Sequence, residues 1–294
     1  MASTWRVVDV LDDATRRDVA DLLDDAERRS GDEALTEDQR ERLERGDAVR
    51  HALRRDGTGA LTGYAVVAPG ARLAAEAALG SFDVGLAAAL EGLSTPVTLL
   101  IREDVESLQE ALAPRGWVAD RALRRMRREL PAPPPPATTL QVRAFEPGRD
   151  DEAWVRQNNA SFAAHPTQSH MTVDKLRRRM AATWFDPKGF LLVWDGDELV
   201  ASCWTKVHHT SRGEVGEIYV ISVAPSAQGR GLGRLAVLLG LEHLRDAGIT
   251  TAELFVEEVN VRAIALYEEL GFRSVARVVE LRFDPASAQP APTA

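Results

Sequence analysis

The heptapeptide Gln228-Gly229-Arg230-Gly231-Leu232-Gly233-Arg234 carries the most chemical information in this chain. Glycine at every second position lets the backbone turn several N–H groups toward one point. An amphipathic stretch follows at once, so those N–H groups open a helix and carry its positive dipole end. Such an arrangement cradles a pyrophosphate, and Arg230 and Arg234 can add charge-assisted hydrogen bonds. The spacing is not Gly-x-Gly-x-x-Gly, and no Lys-Ser/Thr pair follows, so neither a dinucleotide-binding turn nor a P-loop is indicated.

Two side chains near the cradle could move protons. Glu217 opens the apolar run that leads into the cradle, and a carboxylate there can act as a general base, directly or through water. Tyr267 follows the cradle by one predicted helix, one strand and most of a second helix, and its phenol could act as a general acid. A backbone N–H near Val223 is the natural donor to a developing oxyanion. Strict strand alternation puts Glu217, Tyr219 and Ile221 on one face unless a bulge intervenes. Glu214 is the competing carboxylate and is expected in a loop. His208 and His209 are adjacent on a strand, point to opposite faces and make no metal pair, so no metal is expected. Cys203, the single cysteine, reads as a buried strand residue and excludes an internal disulfide.

These pieces have a family likeness. A strand ending Val223-Ala224-Pro225, the Gln-Gly-Arg-Gly-Leu-Gly turn, Asn260 at a strand end and the run Ala263-Ile264-Ala265-Leu266-Tyr267 through Gly271-Phe272 are similar to the GCN5-related N-acetyltransferase (GNAT) superfamily. The resemblance implies acetyl-CoA as co-substrate, its pyrophosphate in the cradle and its pantetheine arm paired with the strand at Ile221, Ser222 and Val223. A narrower resemblance is to the mycothiol synthases, which are tandem GNAT acetyltransferases. It rests on Asn158-Asn159-Ala160-x-Phe162, His165-Pro166-x-Gln168, Trp184-Phe185-Asp186-Pro187, Trp204-Thr205-Lys206-Val207-His208 and Gly216-Glu217. That family acetylates the cysteinyl amine of a cysteine–glucosamine–inositol conjugate. The resemblance implies Glu217 as general base, Tyr267 as general acid and Lys206 as a substrate contact. It adds acetyl-CoA contacts at Asn260, Val261, Arg262, Ala263, Ile264 and Ala265. Thr167 stands where the family has a substrate-binding glutamate, and Glu257 or Glu37 is the candidate to compensate. Two other readings stay open: an acetyltransferase for a different amine, and a non-catalytic acyl-CoA-binding module. Glu217 and Tyr267 beside an intact cradle argue against the second.

The elements that must position these residues follow from patterning. Strands are expected at 140–144, 190–194, 198–208, 217–223, 251–256 and 274–283, with helices at 151–162, 173–182, 231–247 and 261–270. The stretches ending each half align without a gap, and Gly116-Trp117 answers Gly271-Phe272. The expected fold is therefore α/β, with two tandem GNAT-like domains, each a mixed, mostly antiparallel sheet flanked by helices. Residues 1–130 form the first domain, 131–138 a Pro-rich linker, 139–284 the catalytic domain and 285–294 a disordered tail. In the first domain the cradle falls on residues 73–80, which lack Arg-Gly-x-Gly, and Leu112 and Val105 replace Tyr267 and Asn260. It reads as a degenerate, non-catalytic copy that walls the substrate cleft. The Arg-rich segment 121–128 reads as a solvated strand face.

Bulk properties bound the rest. With 294 residues, 45% of them hydrophobic, the chain can build one large domain or two ordinary ones. A formal net charge of −9 argues against nucleic acid as a partner. No apolar stretch reaches membrane length and the N-terminus is unlike a signal peptide, so a cytoplasmic monomer with no membrane partner is expected. Its partners are then acetyl-CoA and a small-molecule amine.

Overall fold

The computed structural model describes residues 5–30, 35, 50–67, 84–91, 97–101, 105–163, 170–210 and 213–284. The first half contains β1 (Trp5–Val8), α1 (Asp13–Ser30), β2 (Arg50–Arg55), β3 (Leu61–Val67), α2 (Val84–Glu91), β4 (Val97–Ile101), α3 (Val105–Leu112) and β5 (Val118–Glu129). The second contains β6 (Gln141–Ala144), α4 (Asp151–Ser161), α5 (Val173–Met180), β7 (Phe190–Asp195), β8 (Glu198–Thr210), β9 (Gly213–Val223), α6 (Leu232–Asp246), β10 (Thr251–Glu257), α7 (Val261–Glu269) and β11 (Arg273–Phe283). Local chemistry explains the joints. Gly196 takes a positive φ of 59° and closes the β7–β8 hairpin, while the Thr172 hydroxyl accepts from Lys175 N and starts α5.

The repeat seen in sequence is visible in the backbone. Gly116 and Gly271 adopt φ of 88° and 85°, and the aromatic after each donates its N–H five residues back, Trp117 to Leu112 O and Phe272 to Tyr267 O. Both helices thus end in the same left-handed turn. Leu112 and Tyr267 occupy equivalent, buried places.

The last strands are exchanged between the repeats. Among the described residues, three strands form one sheet, β1-β2-β3, and eight form the other in the order β4-β11-β5-β10-β9-β8-β7-β6. Strand β5 pairs with β10, strand β11 pairs with β4, and β5 and β11 pair with each other. Met126 of β5 is buried in the second core, and Val279, Leu281 and Phe283 of β11 complete the first, where Phe283 stacks on Trp117 at 5.4 Å. The Pro-rich stretch 131–138 follows β5 directly, with Arg128 Nη2 donating to Pro131 O at 3.0 Å, so the halves share a sheet before that stretch begins. Residues 73–80 and the tail 285–294 lie outside the described residues.

The exchange corrects the reading of segment 121–128. Met126 faces the α6 core, so Arg121, Leu123, Arg125 and Arg127 share the opposite face. That face is not simply solvated. Arg125 donates to Glu253 from Nε (2.9 Å) and Nη2 (3.2 Å), and Arg127 Nε donates to the same carboxylate at 2.7 Å. Arg121 binds Glu257 and reaches Glu280 at 3.5 Å. A strand read alone hides its neighbours; β5 has carboxylate-bearing strands on both sides.

Candidate active site

The site opens where two parallel strands part. β9 and β10 pair at Gly216–Ala252 and Glu217–Glu253, and the pairing stops there although β9 runs on to Val223 and β10 to Glu257. Ala224 N donates to Val200 O (2.9 Å), so by alternation Ile221 and Val223 turn their N–H and C=O groups away from β8, into the gap. An extended ligand can add there as a strand does. Ser222, by the same alternation, turns its backbone to β8, and its hydroxyl donates to Gln157 Oε1 at 2.7 Å. A buried chain continues from Ser222 through Ser202 (2.8 Å) to Trp154 Nε1 (3.0 Å), and Ser161 on α4 holds the Val223 carbonyl at 2.9 Å. This chain fixes the strand whose edge lines the gap.

The cradle sits at the end of that strand. Gly229 and Gly231 adopt φ of 81° and 78°, and Gly231 caps α6. Leu232 is buried in the α6 core, and Gly233 faces Leu266 and Val223, where a Cβ would make ordinary contacts at 3.5 and 3.9 Å. Gln228 ends the turn that leads in from Pro225. Arg230 leans on Asp195 (2.8 Å) and Arg234 on Glu269; both pairs are exposed, so a phosphate can displace the carboxylates at little cost. On the far side Asn260 caps α7, its Oδ1 accepting from Ala263 N at 3.1 Å. Val261, Arg262 and Ala265 are exposed along the first turns of α7, Ala263 is half-buried, and Ile264 packs into the core.

Tyr267 projects from α7 into the same core, edge-on to Phe272 at 5.9 Å. Burial pushes its phenol well above the ordinary range, and the thiolate form of Cys203 would push it further. Burial likewise pushes the Cys203 thiol up to about 12, which fits its reading as an inert strand residue.

Glu217 lies on the opposite face, with Lys206 beside it in the β8 register. His208 Nε2 and Glu217 Oε2 are 2.7 Å apart. The Lys206 ammonium is buried over the rings of Trp184 (4.9 Å) and Tyr219 (5.8 Å). A bulge intervenes between Trp204–Val220 and Thr205–Ile218, leaving Tyr219 as the extra residue. Tyr219 and Val220 both pack with the aromatic cluster around Trp204, whereas Ile221 packs on the α6 side. The expectation that Glu217, Tyr219 and Ile221 share a face is corrected accordingly. Glu214 is in β9, exposed and paired with His209 at 2.8 Å, rather than in a loop.

The remaining anticipated residues divide. Glu257 is half-buried and bound by Arg121. Glu37, Thr167 and the His165-Pro166-x-Gln168 piece lie outside the described residues. Asn159 pins the chain just beyond that piece, giving Nδ2–H to Met171 O (2.9 Å) and taking Met171 N–H on Oδ1 (3.0 Å). Sequence reasoning missed His208 as the partner of Glu217 and Glu253 as its neighbour. The first had a signal, since His208 is two residues from Lys206 and so shares its face. Among the described residues no group of three His, Cys, Asp or Glu could hold a metal.

The chain is 40% identical over 294 residues to the mycothiol acetyltransferase of Geodermatophilus obscurus, covering 91% of this chain and 94% of that one. It belongs to the mycothiol acetyltransferase family. The mycothiol acetyltransferase of Streptomyces griseus is 40% identical over 281 residues, covering 90% and 91% of the two chains. The acetyltransferase (GNAT) family model matches residues 152–272. Among solved structures, a GCN5-related N-acetyltransferase from Sphaerobacter thermophilus matches with TM-score 0.66 at 20% identity, covering 96% of both chains. A tandem GNAT protein from the clavulanic acid biosynthesis pathway matches with TM-score 0.61 at 17% identity, covering 99% and 100%. Those two likenesses establish the fold: α/β, mixed sheets flanked by helices, in a tandem GNAT arrangement. Membership of the family makes the chain an N-acetyltransferase that uses acetyl-CoA as co-substrate. The gap and cradle fit that co-substrate, with N–H groups for the arm and a helix start for the pyrophosphate. No helix among the described residues is long and apolar enough to cross a membrane.

Proposed function

We propose that this chain acetylates the cysteinyl amine of a cysteine–glucosamine–inositol conjugate, the last step of mycothiol biosynthesis. The observation that carries the site assignment is the convergence of Glu217, His208 and Lys206 at the point where β9 and β10 part. The substrate assignment rests on the relatives' shared name and on Trp-Thr-Lys-Val-His, whose lysine and histidine both reach this point.

Glu217 takes a proton from the acceptor ammonium, directly or through one water, and His208 lies at 2.7 Å to carry it toward solvent. The neutral nitrogen then attacks the thioester carbon, forming the C–N bond. The N–H of Ile221 or Val223, unused by β8, donates to the carbonyl oxygen as negative charge grows on it. Collapse breaks the C–S bond as Tyr267 gives its proton to the departing sulfur; the second proton of the former amine leaves through Glu217 and His208, and solvent reprotonates the phenolate once CoA has left. A phenol so buried stays protonated at neutral pH. Lys206, held by its two aromatic neighbours, orients the acceptor's oxygens. Gln228, Gly229, Arg230, Gly231, Leu232, Gly233 and Arg234 hold the pyrophosphate, and Asn260 through Ala265 flank the pantetheine arm. Thr167 with Glu37 or Glu257 completes the acceptor site, and the first repeat forms its wall without binding acetyl-CoA.

The enzyme acts as a cytoplasmic monomer. Strand exchange within one chain already satisfies the edges that a swapped dimer would otherwise cover.

Incubating the purified chain with acetyl-CoA and the conjugate, alongside free cysteine and glucosamine, tests the acceptor. Acetylated conjugate should form far faster than any other product, and a preference for another amine overturns the assignment. Glu217→Gln should lower kcat by about 10²- to 10⁴-fold with CoA binding retained; unchanged kcat refutes the base.

A further inference from the structure

Glu253 has no role in the chemistry above, yet it is 4% exposed and is paired in register with Glu217 on the neighbouring parallel strand. In-register side chains on adjacent strands point to the same face, with the strands about 5 Å apart. Two carboxylates at that spacing oppose each other's ionisation. The compensation comes from the first half of the chain. Arg125 makes two bonds to Glu253 (2.9 and 3.2 Å) and Arg127 one (2.7 Å). Across this face the charges run Lys206, Glu217, Glu253, Arg127 and Arg273, one from each of β8, β9, β10, β5 and β11. Among the described residues, His208 is bonded to Glu217, and Arg179 of α5 lies over the ring of nearby Tyr219. Farther along the seam Arg121, Glu257 and Glu280 pair among themselves.

We propose that the first repeat contributes to catalysis through charge: Arg125 and Arg127, delivered by exchanged strand β5, neutralise Glu253, the buried carboxylate in register with the base Glu217. The inference rests on Glu217 being the base. Both arginines are positioning residues, since they act through Glu253 and do not touch the reactants. It also gives the exchanged strand a function: a first repeat ending at its own sheet would leave Glu253 beside Glu217 without a counter-charge.

The test is the acid limb of kcat, measured with both substrates saturating. Arg127→Gln removes one of the two cations bound to Glu253, and the limb should move to higher pH by about one unit. Glu253→Gln leaves the arginines unmatched beside Glu217, and the limb should move to lower pH. The double variant should return close to the parent, which accumulated structural damage would not do. Arg127→Lys should keep the limb near the parent position. Limbs that do not move, or that move in the same direction in the two single variants, overturn the proposal. If Arg127→Gln fails to fold, the downward shift in Glu253→Gln is required by itself. Glu217→Gln separates the two readings. If it keeps the acid limb, the base assignment fails; if it abolishes the limb while the seam variants leave it fixed, only the charge proposal fails.

Discussion

Gly240 sits in the middle of α6, where replacing glycine with alanine ordinarily stabilises a helix by about 1 kcal/mol. Here the structure predicts the opposite sign. A Cβ on Gly240 would lie 2.5 Å from Cys203 Sγ, 2.9 Å from Ile218 Cδ1 and 3.3 Å from Thr205 Cγ2. Cys203 and Thr205 are buried on β8 and Ile218 is buried on β9, so none of these atoms is the free end of a surface side chain. Relief requires α6 to lift from the sheet or Cys203 and Ile218 to leave their rotamers. Overpacking of this kind costs about 1–3 kcal/mol, which offsets the propensity gain and leaves Gly240→Ala about 0–2 kcal/mol less stable. The cradle opens α6, so lifting the helix should also raise KM for acetyl-CoA while acceptor KM stays near the parent value. Urea unfolding followed by circular dichroism gives the first number and steady-state kinetics the second. Cys203→Ala removes the closest contact, so the double variant should recover part of the loss, a coupling of about 0.5–1.5 kcal/mol. A Gly240→Ala chain more stable than the parent, with unchanged KM, would falsify the claim that α6 is seated on the sheet at glycine distance.

Two further outcomes follow from single features. Gly231→Ala places a side chain at φ 78°, where nothing lies within 4 Å of its Cβ, so the cost is backbone strain of about 1–2 kcal/mol rather than collision. Acetyl-CoA KM should rise roughly 5- to 30-fold with acceptor KM little changed, and an unaltered acetyl-CoA KM refutes the cradle. Tyr64 and Tyr267 have phenols raised by burial, and Cys203 is pushed up to about 12. Each keeps its proton in the folded chain after the unfolded chain has lost it. Their contribution is complete below the unfolded values, about 8.5 for the thiol and 10 for the phenols, and is lost as pH rises toward the folded ones. Urea midpoints should therefore fall from pH 9 to 11. Tyr64→Phe should flatten that fall by up to about 1.4 kcal/mol per pH unit; an unchanged slope shows that Tyr64 does not hold its proton.

Much of the site was legible in the sequence because its parts are local. The cradle needs only alternate glycines and the start of a helix, and α6 begins at Leu232, one residue from the predicted boundary at Gly231. Asn260 and Tyr267 were reachable for the same reason, since a cap and a helix face repeat within a few residues. Even the repeat showed itself through matched turns at Gly116 and Gly271, because a left-handed position selects glycine wherever it occurs.

What the sequence could not decide was pairing between distant segments. Whether β5 lies beside β4 or beside β10 depends on edges more than 100 residues away, and no periodicity in 118–129 records it. Read alone, the arginine-rich run of β5 resembles a solvated face; only the exchanged strand turns Arg121, Arg125 and Arg127 into partners of Glu253 and Glu257. The bulge at Tyr219 was equally hidden, since one extra residue on β9 is defined only against β8, and it alone moves Ile221 off the face of Glu217. The sequence by itself determined the cradle, the reaction class it serves and the duplicated architecture, all encoded over short spans. Tertiary structure decided which side chains meet Glu217, because register and strand order are properties of pairs of segments and are written in neither one alone.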